Sequence, residues 1–115
     1  MAFDTYAKSF ALGTSSAQLT LGLNANETLQ VTSAVLVDTS GAGRIVHLNL
    51  ASDGGAAAAG NAVETGKTVG ANSSVGTSLT GMNVIPGGKI YGYADAAGVT
   101  LQLSGLVTTQ GARTW

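Results

Sequence analysis

His47 is the only histidine and the only side chain whose ordinary pKa lies near neutrality. A hydrolytic triad would join it to Asp38 or Asp53 and to a serine, but no serine stands in the Gly-x-Ser-x-Gly setting that exposes a nucleophile. The competing reading, a histidine on the wetted face of a strand, is the one the sequence favours. Gly66-Lys67-Thr68 ends like a phosphate-binding loop. Asn61 occupies the position of that loop's first glycine, and Gly70 and Asn72 interrupt any helix that would follow. Gly41-Ala42-Gly43-Arg44-Ile45-Val46 opens like a dinucleotide fingerprint and fails at Val46, where the third glycine belongs. It reads as a turn.

Metal chemistry has no better footing. The carboxylates Asp4, Glu27, Asp38, Asp53, Glu64 and Asp95 are scattered without ligand spacing, and cysteine is absent, so no thiolate site and no disulfide exists. No cofactor and no metal is expected. Lys8, Arg44, Lys67, Lys89 and Arg113 are dispersed and form no basic stripe, so nucleic acid is not an expected partner. Tyr91 and Tyr93 lie two apart and share one face of a strand, as sugar-stacking platforms do. A core edge or a subunit contact explains the same pair and is preferred.

The elements that would carry these residues follow from a period of two. Leu29-Gln30-Val31-Thr32-Ser33-Ala34-Val35 and Val99-Thr100-Leu101-Gln102-Leu103-Ser104 alternate apolar and small polar residues, the mark of half-buried strands. Strands are expected over about 17–23, 28–38, 44–51, 61–69 as an edge strand, 75–79, 89–94 and 99–108. On the second, Leu29, Val31, Ser33, Val35 and Val37 should share a face; on the third, Val46, Leu48 and Leu50 oppose His47 and Asn49. Thr39 to Gly43 and Asp95 to Gly98 are expected to close hairpins, and Ser52 to Gly60 to form a loop of small residues. Seven or eight short antiparallel strands spaced by turns read as an all-β sandwich or jelly roll. The expected organisation is an extended N-terminal arm over 1–16, a sandwich over 17–108 and a C-terminal tail over 109–115.

Only 11 of 115 residues are Lys, Arg, Asp or Glu, which leaves strand surfaces covered by Thr, Ser, Gly and Asn. Such a surface suits contact with other protein more than catalysis. At this length folding removes about two-thirds of the unfolded chain's accessible surface, enough for one sandwich without crosslinks. Met1 to Lys8 offers neither a basic start nor an apolar run, so no secretory signal is expected. No run approaches the roughly eighteen apolar residues of a membrane helix, and no membrane partner is expected.

The runs Leu23-Asn24-Ala25-Asn26-Glu27-Thr28, Val31 to Val37, Asp38-Thr39-Ser40-Gly41, Val46-His47-Leu48, Asn61-Ala62-Val63, Pro86-Gly87-Gly88-Lys89-Ile90 and Val99-Thr100-Leu101 recur in an order that resembles small virion structural proteins of tailed bacteriophages. These are head decoration or cement proteins and related sandwich modules. The resemblance spans residues 17–108 and rests on pattern and turn placement. In such chains the first turn is commonly of a Pro-Ala-Gly type; here it is Asn24-Ala25-Asn26, which Asn also permits through left-handed φ. The likeness implies a homo-oligomer bound to a major capsid protein or another virion protein, made in the host cytoplasm. A tail or fibre module and a carbohydrate-binding sandwich are the alternatives.

Assembly directs attention to aromatic residues outside the main alternation. Phe3, Tyr6 and Phe10 in the arm, with Trp115, are the expected contact residues, because aromatics are enriched at interface centres. The opposing reading is that the arm folds over its own sandwich. A small-molecule substrate is not expected.

Overall fold

Two sheets that each alternate apolar and polar residues bury both apolar faces by closing on each other. The computed structural model describes residues 2–52 and 55–109 of the chain. Its strands are β1 (Ala2–Ala11), β2 (Ala17–Gln18), β3 (Glu27–Asp38), β4 (Arg44–Ala51), β5 (Ala62–Val69), β6 (Ser74–Gly76), β7 (Asn83–Val84), β8 (Lys89–Ala94) and β9 (Val99–Thr109). One 3-10 turn, Ala59–Asn61, is the sole helical element among the described residues.

One sheet runs β1-β9-β3-β6, with β7 paired to the other half of β3, and the second runs β2-β8-β4-β5. Every pairing is antiparallel. With β6 and β7 sharing one side of β3, this order is that of an eight-stranded jelly roll built from two Greek keys. The fold class expected from the alternation is therefore the one observed.

Connectivity is where the sequence reading needs correcting. The loops after β3 and after β8 were expected to close hairpins, yet each carries the chain from one sheet to the other. Period two states that a strand has one dry face; it does not state whether the next strand lies beside it or opposite it. Here β3 and β4, like β8 and β9, face each other across the core.

The segment 1–16, expected as an arm outside the sandwich, supplies a strand instead. β1 pairs with β9 from Ala2↔Thr109 to Ala11↔Thr100, Tyr6 and Phe10 pack against the core, and Leu12 is buried. Lys8 interrupts the apolar spacing between those two rings and hides the pattern, while the backbone of β9 still requires a hydrogen-bonding neighbour. The domain consequently begins before residue 17, and Thr109 belongs to β9; residues 110–115 lie outside the described part. In the expected strand 17–23 only Ala17–Gln18 is a strand. Leu19 and Leu21 still turn inward, and the Leu19 amide donates to the Ile90 carbonyl at 2.8 Å.

Leu29, Leu36, Leu48, Ile90 and Leu101 are fully buried at the centre of the sandwich. Each such side chain contributes about 1.5–3 kcal/mol relative to exposure. The face assignment of β3 fails halfway along: Leu29 and Val31 are buried as expected, but beyond them Ala34, Leu36 and Asp38 point inward rather than Ser33, Val35 and Val37. A bulge between Val31 and Ser33 inserts one residue opposite β9 and so exchanges the two faces. Gly105, across from Val31, makes the bulge possible, because a Cβ there would collide with the carbonyl of Gln30.

Candidate functional site

The strand order leaves two long open edges, β1 on one sheet and β5 on the other; the remaining edge strands are two or three residues long. The edges lie on opposite sides of the sandwich. β1 neighbours the segment after β2, where the Tyr6 hydroxyl donates to the Leu21 carbonyl at 2.7 Å, whereas Glu64 of β5 accepts the Ser78 amide beyond β6 at 3.0 Å. An edge strand offers a row of backbone donors and acceptors to any second strand, and proteins that avoid pairing interrupt it with bulges, charge or proline.

β5 is interrupted. Its register with β4 shifts between Val46 and Leu48 and again between Leu48 and Asn49, and Gly66 adopts φ of 69° at the first shift. The amide freed by this irregularity is taken up by His47, whose Nδ1 accepts the Gly66 N–H at 3.2 Å. β1 has no such interruption. Its ten residues pair with β9 in continuous register, and Thr5, Ala7 and Ser9 are exposed on its outer face. Asp4 and Lys8 are its two charged residues.

His47 and Asp38 each engage neighbouring backbone or side-chain groups. The His47 ring stacks on Tyr93 with centroids 4.7 Å apart and planes 13° from parallel, a distance that matches the spacing of neighbouring strands. Nδ1 accepts a backbone proton, which puts the proton of the neutral ring on Nε2; a triad needs Nδ1–H to donate to a carboxylate. Asp38 sits at the inward end of β3, 1% exposed, where its Oδ1 accepts the Ser40 hydroxyl at 2.6 Å and the Ser40 amide at 2.8 Å. Those bonds, the hydroxyl first, with the charge of Arg44, hold its carboxyl below the usual carboxylate range against the opposing effect of burial. Asp53 lies outside the described residues.

The remaining motifs resolve in the same way. Gly66-Lys67-Thr68 lies within β5, and Gly41-Ala42-Gly43 is the connection from β3 to β4, with Gly41 at φ of 80°. Neither stands at a helix N-terminus. Among the described residues no group of three or more His, Cys, Asp or Glu is placed to hold a metal ion. Tyr91 and Tyr93 do share the outer face of β8, but the Tyr91 hydroxyl donates to the Gly55 carbonyl at 3.2 Å and one face of Tyr93 is covered by His47. Asn49 reinforces this arrangement, its Nδ2 donating to the Ala58 carbonyl and to Asn61 Oδ1, both at 2.9 Å. Thus residues 55–58 are tied down over the sheet that bears the two tyrosines.

Of the expected contact residues, Tyr6 and Phe10 are half-buried against their own core, and burial pushes the Tyr6 phenol up. Their rings hold β1 in place, so what β1 can present to a neighbour is its backbone edge, its small outer residues and the exposed Asp4 and Lys8. Phe3 lies opposite Thr108 in the ladder. Trp115 lies outside the described residues. Sequence reasoning missed that the regular edge lies in the N-terminal segment, since edge position depends on strand order and not on composition. It also missed a groove between residues 18–25 and 85–89, signalled in the sequence only by an apolar Ile85 beside Pro86.

No protein-family model matches this sequence, and no curated protein does. Among solved structures, the chain is similar to a protein of Bacillus endospore appendages, described as a novel family of disulfide-linked pili. The TM-score is 0.56 at 19% identity, over 96% of this chain and 88% of that one. At that identity the likeness concerns the fold.

Proposed function

We propose that this chain is a non-enzymatic structural protein that works in many copies, joined to neighbours through the open edge of β1. The observation that carries the reading is the ten-residue, unbulged edge, with Asp4 and Lys8 its only charges, on a chain in which 11 of 115 residues are charged. Low charge removes the repulsion that keeps sheet proteins apart. Closed homo-oligomers satisfy such an edge by pairing it with its own copy, and repeated head-to-tail contacts extend it into rings or fibres.

The setting implied by the sequence resemblance is a phage virion, with the protein decorating or cementing the head lattice and stabilising it by mass action. A fibre subunit is the second reading. The pilus neighbour favours it, although this chain has no cysteine with which to form the disulfide linkage named for those pili. Light scattering and negative-stain microscopy of the purified chain test the shared claim: oligomers, arrays or fibres are expected. A protein that stays monomeric at every accessible concentration and binds no capsid or fibre overturns it. Counting copies in purified particles then separates the settings, since decoration requires a copy number commensurate with the lattice and a tail or fibre component does not.

A further inference from the structure

The open edge of β1 is self-complementary in one register. Leu12 continues the β1 ladder, and its amide donates to the carbonyl of Val99, directly across from it, at 2.9 Å. In an antiparallel pair, directly opposed residues exchange hydrogen bonds at every second position. Residues 2, 4, 6, 8 and 10, in phase with Leu12, therefore direct their backbone groups to β9, and residues 3, 5, 7, 9 and 11 turn theirs to the open side. A strand added here has to match β1 in length and in phase. The far side of the same sheet offers only β6 and β7, three and two residues long, and β5 is bulged twice, so the partner that fits ten straight residues is β1 of a second copy.

Two identical antiparallel strands are related by a two-fold axis. Hydrogen bonds form only where outward-facing residues meet one another, so the axis passes through a residue and not between two. Axes through Thr5, Tyr6 or Ala7 keep most of the strand paired. Through Thr5, Asp4 meets Tyr6; through Ala7, it meets Phe10. The axis through Tyr6 alone sets Asp4 opposite Lys8, and symmetry makes that pair twice. Both belong to the closer, non-hydrogen-bonded class of pair, with Cα atoms about 4.5 Å apart. Asp4 and Lys8 are exposed, and among the described residues neither has a hydrogen bond or ion pair within its own chain. We propose that two copies of this chain join through β1 as a symmetric antiparallel pair centred on Tyr6, with Asp4 of each copy against Lys8 of the other. Resting on the reading of β1 as the assembly edge, this pairing adds the partner and its register. Charge here selects the register instead of closing the edge, since a slip of the axis by one residue leaves both charges without a counter-ion.

Sedimentation equilibrium at low salt tests the register. Asp4→Lys alone and Lys8→Asp alone should each weaken dimerisation about ten-fold or more, because both attractive pairs become repulsive. Mixing the two variants should restore association as a heterodimer, and so should Asp4→Lys with Lys8→Asp in one chain, with circular dichroism as the control for folding. Cysteines give an independent readout, since the chain has none of its own. In Asp4→Cys with Lys8→Cys the two thiols of one strand lie about 13 Å apart, too far to bond, while those of opposed copies are within disulfide range. Mild oxidation should therefore yield a covalent dimer. A dimer indifferent to both charge reversals, or one that the mixture fails to restore, overturns this pairing and leaves the assembly reading standing. So does a chain that is monomeric alone but binds a capsid or fibre. A chain that stays monomeric and binds neither overturns both.

Discussion

β1 and β5 occupy corresponding places at the open sides of two sheets, but β5 is bulged twice over eight residues and β1 runs straight for ten. The bulges of β5 are stabilised from within. Gly66 supplies the left-handed backbone, and His47, held upright by Tyr93, accepts the amide that the irregular ladder leaves over. β1 is held only from beneath, by Tyr6 and Phe10 on the core and by the ladder to β9. β5 therefore combines two register shifts with the charges of Glu64 and Lys67, whereas β1, with Asp4 and Lys8, carries charge but no bulge.

The seat of β1 is the place to break that comparison most severely. Gly105→Ala should destabilise the protein by about 3 kcal/mol, because the added methyl meets the Gln30 backbone, which cannot move without losing the β3 bulge. Urea unfolding would read this as a lower midpoint. An unchanged midpoint would show that the bulge is not needed.

Charging the edges discriminates between them directly. Thr5→Lys with Ser9→Lys on β1 should weaken self-association or particle binding about ten-fold or more, whereas Thr68→Lys on β5 should leave it unchanged. Equal loss from both would show that the two edges do not differ in their openness to partners. Light scattering across a concentration series, with circular dichroism as the control for folding, makes the measurement.

His47→Ala should cost about 1 kcal/mol, since it removes the acceptor for the Gly66 amide and the stack on Tyr93. Faster hydrogen exchange at the Gly66 amide, with the amides of β1 unaffected, would place the effect at β5. The smallest effect is expected from acid. The folded-state pKa of Asp38 is depressed, so its contribution to stability is present above the ordinary carboxylate pKa and is lost as pH falls through the lower folded value. Stability should therefore decline on acidification below about pH 4, and Asp38→Asn should flatten that decline.

Much of the fold was legible because a period of two is a local signal. β4 has the expected bounds, β8 likewise, and β5 was recognised as an edge because Val63 and Val69 are its only strong anchors. The reading failed where the cause is not local. Apolar residues at both 35 and 36, and at both 36 and 37, leave the face of β3 undecided; a bulge that depends on Gly105, far along the chain, decides it. For the candidate site, the low charge and small polar surface were visible in composition, and the use of Tyr6 and Phe10 as internal anchors was not.

From the sequence alone come the strands, their dry faces over short stretches, the absence of cysteine, and a low density of charge. These depend on side-chain character and backbone period, which neighbouring residues specify. Only the tertiary structure decides that 39–43 and 95–98 connect opposite sheets, that residues 2–11 are a strand, and that β1 is the straight open edge. Each of those outcomes is set by which distant strand supplies hydrogen bonds and apolar cover, and strand partners are chosen by the closing of the whole sandwich.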